Sequence, residues 1–270
     1  MSELQIWITY HDDSQIADYG LVENEVFRLF KGNDTNVEGE HINHLNAFYS
    51  EMTTMYWVWK NKMKSQYVGF CHYRRRFTHF IGLDRGECQI LHAQRMASVY
   101  RHYKDAHNYR DLDSVVDILN DIYGEGNPYS AYLLTDGLFI PFCCFIMHWE
   151  DFENLCEFLF KVLFEFDRRN HLNMLAENYR KKAEEDFPHD NPDYQQRAVA
   201  FLAERLISCY IINHMNAISV KSIKQRLGYY DLTIRLSHCR FRSVRCHVRI
   251  HGQTARKAVF GDRPQRPLGR

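Results

Sequence analysis

The sequence predicts an α/β fold with a mostly parallel central sheet flanked by helices, on three observations. Short runs rich in β-branched and aromatic residues alternate with longer stretches of helical periodicity, and no internal repeat organises them. Ligand-type polar and basic residues cluster where strand-like runs end. At 270 residues and 45% apolar side chains, the chain can bury a substantial core.

The elements follow in order. "LQIWITY" (4–10) alternates as a first strand and runs into the polar loop "HDDS". Residues 20–46, with Gly32, Gly39 and many Asn, Asp and His residues, read as a long loop. Ser50 stands before apolar residues at 52, 55, 56 and 59 and predicts a capped helix over 51–64. Trp57 falls off that stripe, so the helix is either buried all round or borders a pocket. "QYVGFCHY" (66–73) is a second strand, which breaks into the cluster Arg74, Arg75 and Arg76. Residues 91–124 predict two helices broken near Asn108. "PFCCFIMHW" is a further buried strand, and "EDFENLCEFLFKVLFEFDRR" an amphipathic helix with acids at its start. "YQQRAVAFLAERLISCYIINH" is another helix, and "AISVKSI" a final short strand.

Composition excludes several classes. The longest apolar stretches are interrupted by Asp136 and Lys161, short of the roughly 18 to 20 residues of a membrane span. "MSELQIWITY" has no basic region ahead of a hydrophobic stretch, so no signal peptide and a cytosolic location are expected. The eight cysteines form no C-x-x-C pair and sit in apolar runs, as reduced core thiols do. No phosphate-cradling glycine loop, G-x-S-x-G or H-E-x-x-H occurs, which removes support from standard ATPases, dehydrogenases, serine hydrolases and zinc proteases.

The zero net charge hides an asymmetry. Residues 235–270 hold nine Arg and one Lys against Asp262, a net of +9, so residues 1–234 carry −9. We expect one domain over 1–234 and a basic, partly disordered extension over 235–270, suited to peripheral contact with an anionic membrane face. The acidic body argues against nucleic acid.

In an α/β sheet, ligands sit beyond the carboxyl ends of strands, where His72 to Arg75 lie. Alternation lets His72 and Arg74 share one face while Tyr73 and Arg75 take the other. Such donors match phosphate oxygens, and arginine's fork binds them bidentately. The same arginines could instead form surface ion pairs with the acidic body. Glu51, Thr54, Trp57, Lys60 and Asn61 offer groups for a sugar or a base, or simply core. His102 and His107 lie five apart, poor spacing for a shared metal. Glu204 beside Arg205 is either an internal ion pair or a general base.

Three stretches together resemble a known family: "SEMTTMYWVWKNKMKSQYVGFCHYRRRF", "FCCFIMHWEDFENLCEFLFKVLFEFDRR" and "RAVAFLAERL". They are similar to the bacterial polysaccharide-biosynthesis family of the DUF4422 type, linked to galactofuranosyl transfer. Its pattern runs E-L-T-A-L-Y-W-x-W-K-N, then H-Y-R-R at a strand end, N-M-F-I-M before a helix and G-F-x-x-E-R-L. Asn43 answers the family's D-N-I-S loop, and His102 and His107 its H-Y-x-x-A-H segment. The first loop, with Thr9 and His11, reads "TYHDD" where the family has T-H-K. Cys143 stands for its Asn and Ala200 for its Gly.

The resemblance implies a GT-A-like nucleotide-sugar transferase domain acting in capsule, O-antigen or exopolysaccharide biosynthesis. It would move galactofuranose from UDP-galactofuranose, with inversion, to a glycan acceptor of lipid-linked type. Glu204, Arg74 and His72 are the catalytic candidates, with Glu51, Asp136 and Glu150 as competing bases. Thr9, His11, Asn43, Glu51, Thr54, Trp57, Lys60, Tyr73, Arg75, His102, His107 and Arg205 are the substrate-binding candidates. His72-Tyr73-Arg74 occupies the place of the usual Asp-x-Asp, so no resident metal or cofactor is expected. Arg76 has no assigned role. The competing reading is a non-catalytic nucleotide- or sugar-binding protein of the same fold.

Overall fold

The structure, a computed structural model, describes residues 3–78, 80–185 and 191–220, with the backbone of 223–224 and 233–236. The expected basic extension lies outside the described residues beyond Leu236. Strand β1 (Leu4–Tyr10) is followed by helix α1 (Ser14–Asp18), β2 (Phe27–Lys31), α2 (Asn46–Tyr49) and α3 (Met52–Lys60). Next come β3 (Tyr67–His72), β4 (Arg75–Arg76), β5 (Glu87–Ile90) and β6 (Gln94–Arg95). Helices α4 (Val99–Ala106), α5 (Tyr109–Tyr123) and α6 (Pro128–Thr135) precede β7 (Leu138–Phe139) and β8 (Phe145–His148). The chain continues through α7 (Trp149–Arg169), α8 (Ala176–Glu185), α9 (Pro192–Gln195), α10 (Ala198–His214), β9 (Asn216–Val220), β10 (Ile223–Lys224) and β11 (Thr233–Leu236).

The expected α/β architecture, a central sheet flanked by helices, is what forms. β1 lies between β2 and β3, both parallel to it. β3's other edge pairs with β8 over Tyr67–Phe70 and with β4 at His72, so β3 changes partner at its carboxyl end. β8 runs antiparallel to both β3 and β5, and β5 is parallel to β9. The sheet is therefore more mixed than alternating strands and helices suggest. The α4–α6 excursion returns the chain to the end of the sheet it left, and β8 must then run backwards.

Period-two alternation divides the core. Trp7, Val68, Phe70, Phe145 and Met147 pack with α3, α5, α7 and α10 in the main cluster. Ile6, Ile8, Tyr67, Cys71, Cys144 and Ile146 face a thinner layer on the other side. Full burial of a side chain such as Phe70 contributes about 2–3 kcal/mol, which is why the apolar run fixes β3's register. Asn108 accepts the Arg110 N–H and starts α5, so the helical stretch breaks where the sequence indicated.

Several elements differ from expectation. The loop 20–46 contains β2, whose "FRLFK" pairs with β1. The stretch 91–124 becomes helical only at Val99, after β5 and β6. Ser50 does not cap α3: it holds φ 48° and ψ −127°, and its carbonyl accepts from Asn46 Nδ2 and the Thr53 N–H. The six described cysteines are free and buried, as expected of core thiols.

Candidate functional site

Thr9 and His72 are register partners on adjacent parallel strands. Trp7 and Phe70, two residues earlier, point into the helix-side core, so Thr9 and His72 face that side too. Thr9 Oγ1 donates to Thr54 Oγ1 at 2.7 Å, tying β1 to α3. His72 Nδ1 accepts the Arg74 N–H at 3.1 Å, which leaves the proton on Nε2, 3.2 Å from Glu51 Oε1. Burial, reinforced by the guanidinium groups of Arg74, Arg75 and Arg197, pulls His72 down to about 3. The contact is thus a neutral imidazole donating to a carboxyl group, not an ion pair. Burial likewise raises Glu51 above the usual carboxylate range, against the lowering influence of its own backbone N–H, Arg197 and Arg74.

Two cavities open here. One of about 240 Å³ is walled by Thr9, His11, Asn46, Ser50, Tyr73 and their neighbours. The other, about 450 Å³, runs between Arg75, His102, His107, Phe142, Glu204 and Arg205. Glu51, His72, Arg74 and Arg197 line both. The site lies beyond the carboxyl ends of two parallel strands, where ligands of α/β sheets bind.

The start of α10 forms the opposite wall. Arg197, just before the helix, donates to Ser50 Oγ at 3.0 Å. Glu204 Oε1 accepts the Phe142 N–H at 2.6 Å, and Oε2 takes Arg205 Nη1 at 2.9 Å. Phe142 and Cys143 both have left-handed φ, 78° and 51°, so Glu204 secures a strained turn. Arg205 is 3% exposed and lies between the Tyr103 and Phe139 rings. It reaches His102 Nδ1 at 3.2 Å, while its Nε has no hydrogen-bond partner. Burial, then Arg205, lowers the His102 pKa. Arg75 stacks on Phe142 at 3.6 Å, and His107 on Phe201 at 3.8 Å.

Most sequence-predicted residues converge here. Glu204, Arg74, His72, Glu51, Arg75, His102, His107 and Arg205 line the larger cavity, and Thr9, His11 and Tyr73 the smaller. The two departures from the family pattern, Cys143 and Ala200, also border the larger one. Four residues lie outside both cavities. Asn43 is buried and donates to the Asp34 carbonyl. Thr54 stands behind Thr9. Trp57 packs on Trp7 and Phe30. Lys60 sits 4.4 Å above the Trp59 ring, near Glu40. Of the competing bases, Asp136 Oδ1 accepts the Leu138 N–H and Glu150 pairs with Arg85, neither lining a cavity. Arg76 is structural, donating to the Gly20 and Tyr19 carbonyls. Sequence reasoning missed Arg197, Asn46 and Ser50. Arg197 opens the stretch "RAVAFLAERL" but precedes the matched G-F-x-x-E-R-L pattern, so its one signal is its place at a helix start.

A divalent metal, looked for where an Asp-x-Asp would stand, does not fit these residues. Both His72 nitrogens are committed, and Arg74 Nε lies 3.5 Å from His72 Nδ1, placing a fixed cation there. Among the described residues, no group of three or more His, Cys, Asp or Glu side chains is arranged to hold a metal ion. No described helix is long and apolar enough to cross a membrane.

Comparison with known proteins places the chain further. Residues 20–97 and 86–216 match the family described as a domain of unknown function, DUF4422. No curated protein matches. Among solved structures, the apo form of WbbM, a bifunctional glycosyltransferase, superposes with a TM-score of 0.59 at 20% identity. The match covers 82% of this chain and 45% of WbbM, so this chain spans less than half of that protein's length. The shared feature is the GT-A-like fold, a mixed sheet flanked by helices.

Proposed function

From a chain that belongs to the DUF4422 family, we propose a glycosyltransferase that takes its sugar from a nucleoside diphosphate and passes it to a glycan hydroxyl. One observation carries this reading: four guanidinium groups, those of Arg74, Arg75, Arg197 and Arg205, gather with two carboxyl groups around paired cavities beyond two parallel strand ends. That surplus of fixed cation suits a diphosphate, and arginine forks meet phosphate oxygens bidentately. Two cavities with a common wall suit a donor and an acceptor that must meet.

Arg74 and Arg197, on the common wall, hold the diphosphate and stabilise the charge that develops as it departs. His72 stays neutral and spends its one N–H on Glu51, so its role is to position that carboxyl group rather than to neutralise phosphate. Thr9, His11 and Tyr73 contact the substrate in the smaller cavity, and Arg75, His102 and His107 in the larger. UDP-galactofuranose is the donor and a cell-surface polysaccharide precursor the acceptor, on the strength of the sequence resemblance.

UDP release, measured with UDP-galactofuranose, UDP-galactose and UDP-glucose with and without glycan acceptors, tests the reading. Acceptor-dependent release supports a transferase. Tight UDP binding without turnover on any pair would instead make the chain a nucleotide-sugar-binding protein.

A further inference from the structure

We infer that Glu51, and not Glu204, is the base that deprotonates the acceptor hydroxyl. This rests on the transferase reading above. Among the described residues, Glu51 is the carboxyl-bearing side chain that lines both cavities. If donor and acceptor occupy adjoining cavities, the new bond forms at their common wall, beside Glu51.

Availability is the second point. Glu204 has both oxygens engaged, one by the Phe142 N–H and one by Arg205, and taking up a proton would weaken the charge-assisted bonds that hold the turn and the guanidinium. Glu51 is held by His72 at Oε1 and by its own backbone N–H, and neither contact secures a left-handed turn. The His72 tautomer is set by the Arg74 N–H, so Glu51 is oriented by a group that is itself fixed. That is the base–orienter arrangement of acid–base catalysis on a new pair of residues.

The step balances. The acceptor O–H gives its proton to Glu51, and its oxygen forms the bond to the anomeric carbon. The bond from that carbon to the β-phosphate oxygen breaks, and its electron pair leaves with UDP between Arg74 and Arg197. The charged and titratable groups around Glu51 are His72 and Arg74 from the end of β3, Arg197 and Glu204 from α10 and its approach, and His11 from the end of β1. Burial of Glu51 among them raises its basicity toward the working range.

The test compares Glu51→Gln, Glu51→Asp and Glu204→Gln in the full chain, using the donor and acceptor that give turnover with the wild type. Glu51→Gln is expected to lower kcat at least about a hundredfold, the low end of what a positioned base contributes. UDP affinity should stay within about threefold, and Glu51→Asp should retain part of the rate. Azide, a nucleophile with no proton to lose, should attack the donor at a similar rate in Glu51→Gln and the wild type. Near-normal acceptor turnover in Glu51→Gln overturns the assignment, as does a Glu204→Gln enzyme that loses acceptor turnover yet keeps azide transfer. A wild type that turns over no nucleotide sugar instead overturns the transferase reading itself.

Discussion

Glu204 accepts the backbone N–H of Phe142 at 2.6 Å and so joins α10 to a turn in which two consecutive non-glycine residues are left-handed. Left-handed φ costs on the order of 1–2 kcal/mol for an L residue, and this turn persists because its N–H has a charged acceptor. Glu204→Ala would strand that N–H and take the carboxylate partner from the buried Arg205 guanidinium, which keeps the Phe201 carbonyl and His102. We expect about 1–3 kcal/mol of lost stability, read from urea unfolding, together with a raised KM. Unchanged stability would detach Glu204 from the turn.

Arg197 joins the two cavities from the α10 side and is held by Ser50 Oγ. A charge-assisted hydrogen bond contributes about 1.5–3 kcal/mol, so Arg197→Ala should weaken UDP binding roughly 10- to 100-fold by calorimetry. The salt dependence of binding should flatten as well, because one phosphate partner has gone. An unaltered Kd would remove Arg197 from the diphosphate site.

How much of this was legible beforehand depends on length and face. α7 and the α4–α5 break were readable because periodicity or a capping Asn108 marks them over many residues. β5 is four residues and β2 five, each embedded in polar sequence, too short for a pattern to stand out. In the site, β3's end was legible because an apolar run cannot continue into three arginines. The helix 52–60 was harder: at 100° per residue, Glu51 and Thr54 lie near one face while Lys60 falls opposite. A motif that spans all faces does not say which one meets the ligand, so Trp57 and Lys60 looked as eligible as Glu51. Arg197 is 120 residues or more from its partners on β3, and nothing local records that distance.

Gly137 offers a test of the scaffold rather than the chemistry. A Cβ there would stand 2.4 Å from the Met96 carbonyl oxygen, and the Gly137 carbonyl already accepts the Met96 N–H at 2.8 Å. Both obstacles are backbone, so neither can rotate away. Gly137→Ala should cost about 2 kcal/mol, or about 4–8 °C in Tm. A melting temperature equal to wild type would mean that β6 and β7 part without penalty.

Fixed cation in place of a metal predicts indifference to chelation. With Arg74 and Arg197 at the common wall and the His72 nitrogens committed, turnover should persist in excess EDTA. Arg74→Ala should then lose at least about tenfold in kcat/KM, with no recovery on adding Mg²⁺ or Mn²⁺. Activity abolished by EDTA and restored by either ion would refute the substitution of arginine for metal.

The basic C-terminal segment predicts a separable membrane contribution. β11 ends at Leu236 and pairs with β9, so a cut after residue 236 preserves that strand while removing residues 237–270. Those residues carry eight Arg and one Lys against one Asp, a net of +8. Each cation near an anionic surface contributes about 1 kcal/mol, so even a few in contact would hold the chain at an anionic membrane. Sedimentation with phosphatidylserine-containing liposomes should therefore recover the full chain and leave the truncated one in the supernatant. The difference should shrink as salt rises and screens the attraction. If both chains sediment equally, membrane contact belongs to the acidic body, and the segment needs another role.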